Sequence, residues 1–271
     1  MTLRLSLRAA SDAPIEVIGV TPAALAGKSQ AEIERLPVLH GNRTLPLAEL
    51  FSIAGDAADG RLEFAGDHAG VHGIGAKMDG GQIHVLGNAG RHVGAEMTAG
   101  QIHVTGNAGD WLGAELRGGR ITVDVDAGDF VGAAYRGSPE GMTGGEILVA
   151  GNAGKEAGHT MRRGLLAIGG SIGDFAAINM IAGSIFVFGD CGLRPAAGMR
   201  RGTLALFGPR PRLLPTFRSA GTCEPLFVRV YLRALAQAGF ATPPECMNAT
   251  CELFHGDLVT TGRGEILLMS P

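Results

Sequence analysis

Residues 80–90, "GGQIHVLGNAG", recur 19 positions later as residues 99–109, "AGQIHVTGNAG", and this recurrence specifies the architecture. The glycine before each short apolar run marks one copy of the repeat. These markers are Gly60, Gly81, Gly100, Gly119, Gly145, Gly164, Gly183 and Gly202. Most intervals are 19 residues, and the exceptions come from a seven-residue insertion in "AAYRGSPEGMTG" and a two-residue insertion near Gly73. Eight copies therefore span about residues 60–208.

Within each copy, apolar residues lie two and four positions after the marker. They are Leu62 and Phe64, Ile83 and Val85, Ile102 and Val104, Ile121 and Val123, Ile147 and Val149, Leu166 and Ile168, Ile185 and Val187, and Leu204 and Leu206. This alternation predicts a β-strand that buries one face. A second inward column is predicted sixteen positions after the marker: Met97, Leu116, Tyr135, Met161, Met180 and Met199.

A unit of 19 residues is too short for a strand, a crossover helix and a second parallel strand. The economical geometry winds each unit once around an axis and pairs it with the units above and below. The sequence thus predicts an all-β fold, a parallel β-helix of about eight 19-residue coils. Its interior would hold the aliphatic and methionine columns.

Composition excludes several classes of protein. The chain has 271 residues, a net charge of −3 and 44 glycines. This charge argues against a nucleic-acid-binding protein, and no apolar run approaches the length of a membrane span. No secretory signal and no CxxC motif are found, so we expect a reduced, cytoplasmic protein. The four cysteines are interpreted as buried or free thiols, because the spacing of Cys246 and Cys251 is only a weak metal-site signal.

The flanks of the repeat have a different character. "TLRLSL" at the N-terminus alternates as a strand, and Ser29 with Glu32 fits a capping box before a short helix through Leu36. Residues 225–238 predict an amphipathic helix with Phe227, Val230, Tyr231, Ala234, Leu235 and Ala238 on one side. We therefore divide the chain into a small N-terminal cap (1–55), the repeats (56–208) and a C-terminal extension with the helix (209–271).

The repeat and both flanks together resemble a known family. The flanks are "LAGKSQAEIERLPVLHGNRTLPLAELFSIAGD", residues 25–56, and "LLPTFRSAGTCEPLFVRVYLRALAQAGF", residues 213–240. The chain resembles the C-type subunit of formylmethanofuran dehydrogenase and its bacterial counterpart, the C-type subunit of the formyltransferase/hydrolase complex. The repeat alone is also similar to the C-terminal domain of glutamate synthase large subunits, so the flanks carry the match.

The resemblance implies a right-handed β-helix and a noncatalytic subunit of a complex in one-carbon metabolism. The bacterial complex transfers formyl from formyl-tetrahydromethanopterin to a methanofuran-type carrier and hydrolyses it to formate. Its chemistry belongs to amidohydrolase-like and formyltransferase subunits, which with a B-type subunit would be the partners of this chain. The alternatives are the C-type subunit of a molybdenum or tungsten formylmethanofuran dehydrogenase and a stand-alone carbohydrate-active β-helix enzyme.

Arginines form the most informative outward row. Seventeen and eighteen positions after the marker lie Arg117, Arg136, Arg162, Arg163, Arg200 and Arg201. Stacked like charges repel, so we expect an anion to bind along this row. Because methanofuran-type carriers end in glutamyl chains, the resemblance suggests that the row holds a polyglutamate tail. An acidic subunit surface and a solvated face remain alternatives.

A second outward face turns apolar in the later coils, at Leu148, Leu165, Phe186, Phe188 and Phe207. Such a stripe should be covered, either by the C-terminal helix folding back or by another subunit.

We assign neither a catalytic residue nor a metal ligand. His84 and His103 lack a third zinc ligand in their column, and Asp110, Asp129 and Asp174 are interpreted as corner residues rather than catalytic carboxylates. The row Asn88, Asn107, Asp126, Asn152, Ser171 and Asp190 is interpreted as turn-stabilising rather than ligand-binding.

Overall fold

The structure is a computed structural model that describes residues 2–270. Within this range the strands are β1 (Leu3–Leu7), β2 (Ile15–Glu16), β3 (Pro37–His40), β4 (Arg43–Pro46), β5 (Phe51–Ala54), β6 (Arg61–Ala65), β7 (Val71–His72), β8 (Asp79–Leu86), β9 (Ala99–Val104), β10 (Arg120–Val123), β11 (Glu146–Val149), β12 (Leu165–Ile168), β13 (Ser184–Val187), β14 (Arg201–Leu206), β15 (Arg218–Cys223), β16 (Thr250–Gly256) and β17 (Arg263–Ser270). The helices are α1 (Pro22–Leu25), α2 (Gln30–Glu34), α3 (Leu47–Leu50) and α4 (Leu226–Gln237), and a 3-10 helix covers Pro244–Asn248.

Strands from the repeat, β6 and β8 to β14, lie side by side and parallel. Their register aligns equivalent positions of successive copies, so that Ile83 pairs with Leu62 and with Ile102. A second parallel ladder of single bridges joins Ala89 to Ala108 and continues through later copies. We call each copy a rung. Every rung is therefore hydrogen-bonded to the rungs before and after it.

The two predicted inward columns are buried. The first aliphatic position is at most 1% exposed in every rung, and Met97, Met161 and Met180 are fully buried. One predicted member is wrong: Tyr135 is half-buried at the surface, and Met142 occupies the column in its place. The seven-residue insertion separates Tyr135 from its expected position, and the chain rejoins the column when the Met142 N–H bonds to the Gly132 carbonyl.

The marker glycines are required by the close approach of rungs. Gly100 has a φ of +99°, a conformation that is costly for other residues. A Cβ atom at Gly100 would also lie 2.7 Å from the Gly81 carbonyl oxygen of the preceding rung. A side chain here would therefore strain the backbone and push two rungs apart.

A row of side-chain hydrogen bonds connects the corners of the rungs. Asn152 donates from Nδ2 to Asp126 Oδ1 at 3.0 Å, and its own Oδ1 accepts the Ser171 N–H at 2.8 Å. The same pattern joins Asn107 to Asn88. The side chains of this row therefore bond to equivalent positions of adjacent rungs, as stacked amides can, which is a structural use of the row.

The ends of the repeat are closed differently. At the N-terminal end, β1 pairs in parallel with β6 and antiparallel with the edge strand β5, while β4, β3, β2 and β7 form a separate small sheet. The predicted capping box at Ser29 is present on α2. At the C-terminal end, β17 continues the parallel ladder next to β14, and β16 and β15 follow in antiparallel order.

The predicted all-β class is confirmed. Over the described residues, 13 strands form one large sheet, which is mixed because antiparallel strands flank the repeat strands at both ends. The helices in this range are few and short. None of those found between residues 2 and 270 is long and apolar enough to cross a membrane.

One histidine lies inside the core near the first rung. His68 is 0% exposed and packs between Phe51 and Phe64, with ring centroids 6.2 and 5.5 Å away. Its Nδ1 donates to the Gly66 carbonyl oxygen at 2.8 Å, whereas Nε2 has no partner among the described residues. Burial lowers the pKa of His68, against smaller opposing effects of this hydrogen bond and of Asp67.

The amide row predicts the effect of Asn152→Ala. This change removes both side-chain hydrogen bonds of Asn152, so we expect the free energy of unfolding to fall by about 1 to 2 kcal/mol. The matched control is Asn248→Ala, since Asn248 is exposed and forms no side-chain hydrogen bond with residues 2–270. Urea unfolding of both variants measures the difference. Equal stability of the two variants would contradict a stabilising role for the row.

The buried histidine predicts a pH effect for His68→Phe. Below pH 6.5 the unfolded chain takes up a proton at His68 that the folded chain, with its lowered pKa, does not. The wild type should therefore lose stability as pH falls from 6.5 to the folded pKa, by up to about 1.4 kcal/mol per pH unit. In the variant this loss is absent, so its stability relative to wild type should rise between pH 7 and pH 5. Parallel curves in denaturant titrations would refute the assignment.

Candidate functional site

The apolar outer stripe lies under the C-terminal helix. Leu148, Leu165 and Phe186 are buried in one cluster with Val228, Leu232 and Leu235 of α4. Phe188 and Phe207 stack on each other at 4.6 Å and pack against the rim of this cluster. Within this chain, therefore, helix α4 packs on the predicted stripe.

The buried face of α4 differs from the predicted one. Val230 is 67% exposed and Phe227 is 41% exposed, although both were expected on the inner side. Val228 and Leu232 are buried instead, together with the correctly predicted Leu235. A moderately apolar helix could bury any of several faces. The neighbouring hairpin of β16 and β17 contributes Cys251 and Leu267 to the cluster, and packing against it helps to select the face that is buried.

Between α4 and the repeat strands lies an open cavity of about 950 Å³. Four of the six arginines predicted as a row line it. Its lining includes Glu146, Arg162, Arg163, Ile181, Ala182, Ser184, Arg200, Arg201, Val230, Tyr231, Ala234, Thr261 and Arg263. Five of these side chains are guanidinium groups and one is a carboxylate, so the cavity is strongly basic.

The ion pairs of the cavity leave most of its positive charge uncompensated. Arg162 contacts Glu140, and the single lining carboxylate, Glu146, is held by Arg120 at 2.7 Å. Among residues 2–270, no carboxylate lies within ion-pair distance of Arg163, Arg200, Arg201 or Arg263. These side chains are exposed, so water screens them until a ligand arrives.

The walls combine this charge with apolar and hydroxyl groups. Ile181 and Ala182 lie between the arginine pairs of the neighbouring rungs, and Val230 and Ala234 line the side formed by α4. Tyr231 lies 3.4 Å from Ser184, hydroxyl to hydroxyl. Guanidinium groups bind carboxylates in a bidentate manner, so this arrangement suits a ligand that carries several carboxylates.

Arg117 and Arg136 lie outside the cavity. Equivalent residues of the row share one backbone hydrogen bond: their N–H group donates to the carbonyl oxygen of the buried methionine or leucine in the previous rung. The residues with this bond are Arg117, Thr143, Arg162, Ile181 and Arg200. Arg117 is thus separated from Arg162 by one rung and pairs with Glu96 at 3.8 Å. Arg136 is not in the row, because the insertion gives its place to Thr143.

Arg263 was not predicted from the sequence, although a signal is present. Gly264 is followed two and four positions later by Ile266 and Leu268, which is the pattern of the marker glycines. In the structure Arg263 pairs in register with Arg201. About sixty residues separate this last copy of the pattern from the others, so it does not stand out as part of the regular 19-residue series.

The displaced Tyr135 joins a surface cluster of aromatic rings that the sequence pattern did not predict either. Trp111 stacks on Phe130 at 4.4 Å and approaches Tyr135 at 5.1 Å. Tyr135 lies 2.9 Å from His92 Nδ1. Burial raises the pKa of Tyr135 to about 12, and burial followed by the charge of Arg91 lowers the pKa of His92. The phenol therefore donates and the neutral imidazole accepts.

The other polar candidates have structural partners. His103 Nε2 lies 2.9 Å from both oxygens of Asp124, beside a smaller cavity of about 460 Å³. Asp110 and Asp129 each accept a backbone N–H from the next rung at 2.9 Å. Over the part of the chain that the structure describes, no group of three or more His, Cys, Asp or Glu residues could hold a metal ion.

Several known proteins are similar to part of this chain, although no family model matches it. Over 88 residues, 31% of this chain and 29% of the relative, it is 39% identical to the C-type subunit of the molybdenum-containing formylmethanofuran dehydrogenase 1 of Methanosarcina barkeri. Over 90 residues, 32% of this chain and 34% of the relative, it is 39% identical to the C-type subunit of the formyltransferase/hydrolase complex Fhc of Methylorubrum extorquens. These alignments span about a third of each curated relative.

A solved structure extends the match to the whole chain. It is similar to a chain of the formyltransferase/hydrolase complex FhcABCD from Methylorubrum extorquens, whose crystal structure was determined in complex with methylofuran. The similarity covers 99% of this chain and 100% of the other, with 37% identity and a TM-score of 0.89. The rungs, both flanks and α4 are all included at this coverage. The chain therefore belongs to the family of C-type subunits of formyltransferase/hydrolase and formylmethanofuran dehydrogenase complexes.

Proposed function

We propose that this chain is a noncatalytic structural subunit of a formyltransferase/hydrolase complex, and that its arginine cavity binds the anionic tail of a methanofuran-type carrier. One observation carries the proposal: four arginines face a common cavity without a carboxylate partner in the described chain. The full-length similarity to a chain of FhcABCD, determined in complex with methylofuran, supports the choice of complex and carrier.

We further propose that the repeat region winds as a right-handed parallel β-helix. The in-register parallel strands and the second ladder of parallel bridges support this geometry. Residues 1–55 would form the cap and residues 209–271 the extension, since β1 covers the first rung and β17 adds a rung after β14. A stiff rod of this kind is suited to holding other subunits at fixed distances.

A noncatalytic role agrees with how the polar side chains are used. The corner carboxylates accept backbone N–H groups, and the His103 and Asp124 pair has no serine or cysteine beside it among the residues that line its cavity. The reactions would then take place on amidohydrolase-like and formyltransferase subunits, with a B-type subunit as a further partner. This chain would hold the other subunits in position and supply the positive charge that binds the carrier.

The cavity is matched to a chain of carboxylates rather than to a single anion. Arg162 and Arg163 lie two rungs from Arg200 and Arg201, and Arg263 lies one rung further. With rungs about 4.8 Å apart, the positive groups are distributed over about 15 Å. A glutamyl tail lying along the strand-stacking direction could contact all of them.

The C-type subunit of a formylmethanofuran dehydrogenase is a second candidate, because the 39% identity to the Methanosarcina barkeri protein equals that to the Fhc subunit over a similar length. That assignment predicts molybdenum or tungsten and iron–sulfur subunits in the native complex. Metal analysis and mass identification of the purified complex distinguish the two candidates. Companions of amidohydrolase and formyltransferase type without these metals would support the first.

The cavity predicts an anion effect on stability. Sulfate bound among the arginines should raise the stability of the chain by about 1.4 kcal/mol at tenfold excess over its dissociation constant, or about 3 to 6 °C in the unfolding midpoint. Arg163→Ala combined with Arg201→Ala should lose this increment, whereas the control Arg136→Ala should keep it. Thermal unfolding in sulfate and in chloride at equal ionic strength gives the comparison. The same increment in all three proteins would show that sulfate acts elsewhere.

The carrier proposal predicts the effect of Arg162→Ala combined with Arg163→Ala in the native complex. Each charged hydrogen bond to a carboxylate contributes about 1.5 to 3 kcal/mol, so we expect retention of the carrier to weaken at least about tenfold. The carrier released by denaturing the washed complex is measured by mass spectrometry, with Arg136→Ala as control. Undiminished carrier in an intact complex would remove this role from the cavity.

A further inference from the structure

Two cysteines face each other across the last strands of the large sheet. Cys223 of β15 pairs directly with Cys251 of β16, and their Sγ atoms are 3.3 Å apart. Directly opposed residues in antiparallel strands have Cα atoms about 4.5 to 5.5 Å apart, which is within the range that a disulfide requires. The two sulfur atoms therefore need only a small side-chain movement to bond.

The two thiols differ in their environment. Cys223 is exposed, like every residue of the edge strand β15, whereas Cys251 is 1% exposed and belongs to the cluster under α4. Burial, and then the hydrogen bond with Cys223, raise the pKa of Cys251 to about 12. One thiol is thus accessible to a reagent, and the other keeps its proton until its neighbour has reacted.

We propose that Cys223 and Cys251 form a modification site, at which a small-molecule disulfide oxidises the pair to an intrachain disulfide. The Cys223 thiolate attacks one sulfur of the reagent, forms a mixed disulfide and releases one thiolate. Cys251 then loses its proton and attacks Cys223 Sγ, which expels the second thiolate. Two cysteine thiols and one reagent disulfide become one protein disulfide and two reagent thiols.

The position of this pair gives the bond a structural consequence. Residues 223 and 251 are 28 positions apart, and the segment between them contains the whole of α4. Helix α4 starts three residues after Cys223, at Leu226. The disulfide therefore encloses α4 in a covalent loop and fixes the start of the helix that walls the arginine cavity. A cross-link of this kind restricts the unfolded chain and holds the helix on the sheet.

The test treats the purified chain with oxidised glutathione and measures its intact mass and peptide map. We expect loss of two hydrogen atoms, no retained glutathione, and a cross-linked peptide that joins Cys223 to Cys251. Because the second step needs the Cys251 thiolate, its rate should rise with pH between about 7 and 9. A stable glutathione adduct on Cys223, or a bond to Cys246 or Cys191, would overturn the proposal.

Variants keep the test decisive. Cys223→Ser changes an exposed side chain, leaves the core intact and should abolish the cross-link. Cys251→Ser should leave one glutathione on Cys223, which reductant removes. Cys246→Ser is the matched control for a buried thiol, and it should cross-link like wild type. A cross-link that survives in Cys223→Ser would refute the site.

A second measurement concerns α4. In the oxidised chain, amide hydrogen exchange at residues 218–232 should slow relative to the reduced chain and recover after reduction, while the rungs stay unchanged. Equal exchange in both forms would show that the bond does not anchor the helix. These results do not depend on whether the cavity binds a carrier, because no ligand is added.

Discussion

In-register stacking of equivalent residues governs this fold. Each repeat strand is parallel to the next without a shift at the core positions, so a residue in most rungs lies over the residue 19 positions before it. A side-chain type that recurs in the sequence therefore becomes a row in space. Apolar rows fill the interior, where each buried aliphatic side chain contributes about 1.5 to 3 kcal/mol.

The polar rows differ in whether their side chains can hydrogen-bond to one another. An amide has both a donor and an acceptor, so Asn152 can bond to the rungs on either side of it. A guanidinium group only donates, so Arg201 and Arg263 in register cannot satisfy each other. The same stacking that lets the corner side chains bond to one another leaves the arginines without carboxylate partners among residues 2–270, which makes them the candidate site for an external anion. This difference separates a structural row from a candidate binding site.

Helix α4 turns the arginine row into a cavity. Its buried residues anchor it on the apolar stripe, and its flank with Tyr231 and Ala234 faces the arginines. The arginines of the rungs and the α4 residues of the extension therefore line one cavity, although they are distant in sequence. Cys223 lies three residues before this helix and Cys251 follows it on the neighbouring strand β16, so a bond between them would connect the edge of the sheet to the position of the helix.

The rungs, the aliphatic columns, the corner amides and the existence of a C-terminal helix could all be predicted from the amino-acid sequence, because a constant interval aligns successive strands and alternation leaves one face to bury. The other features depended on how the chain accommodates the insertion and on contacts between distant segments. The insertion moved Tyr135 and Arg136 out of their columns, the return of the chain at β17 brought Arg263 into the row, and packing selected the buried face of α4. Periodicity describes equivalent positions in neighbouring rungs, and it carries no information about which partner a later segment meets.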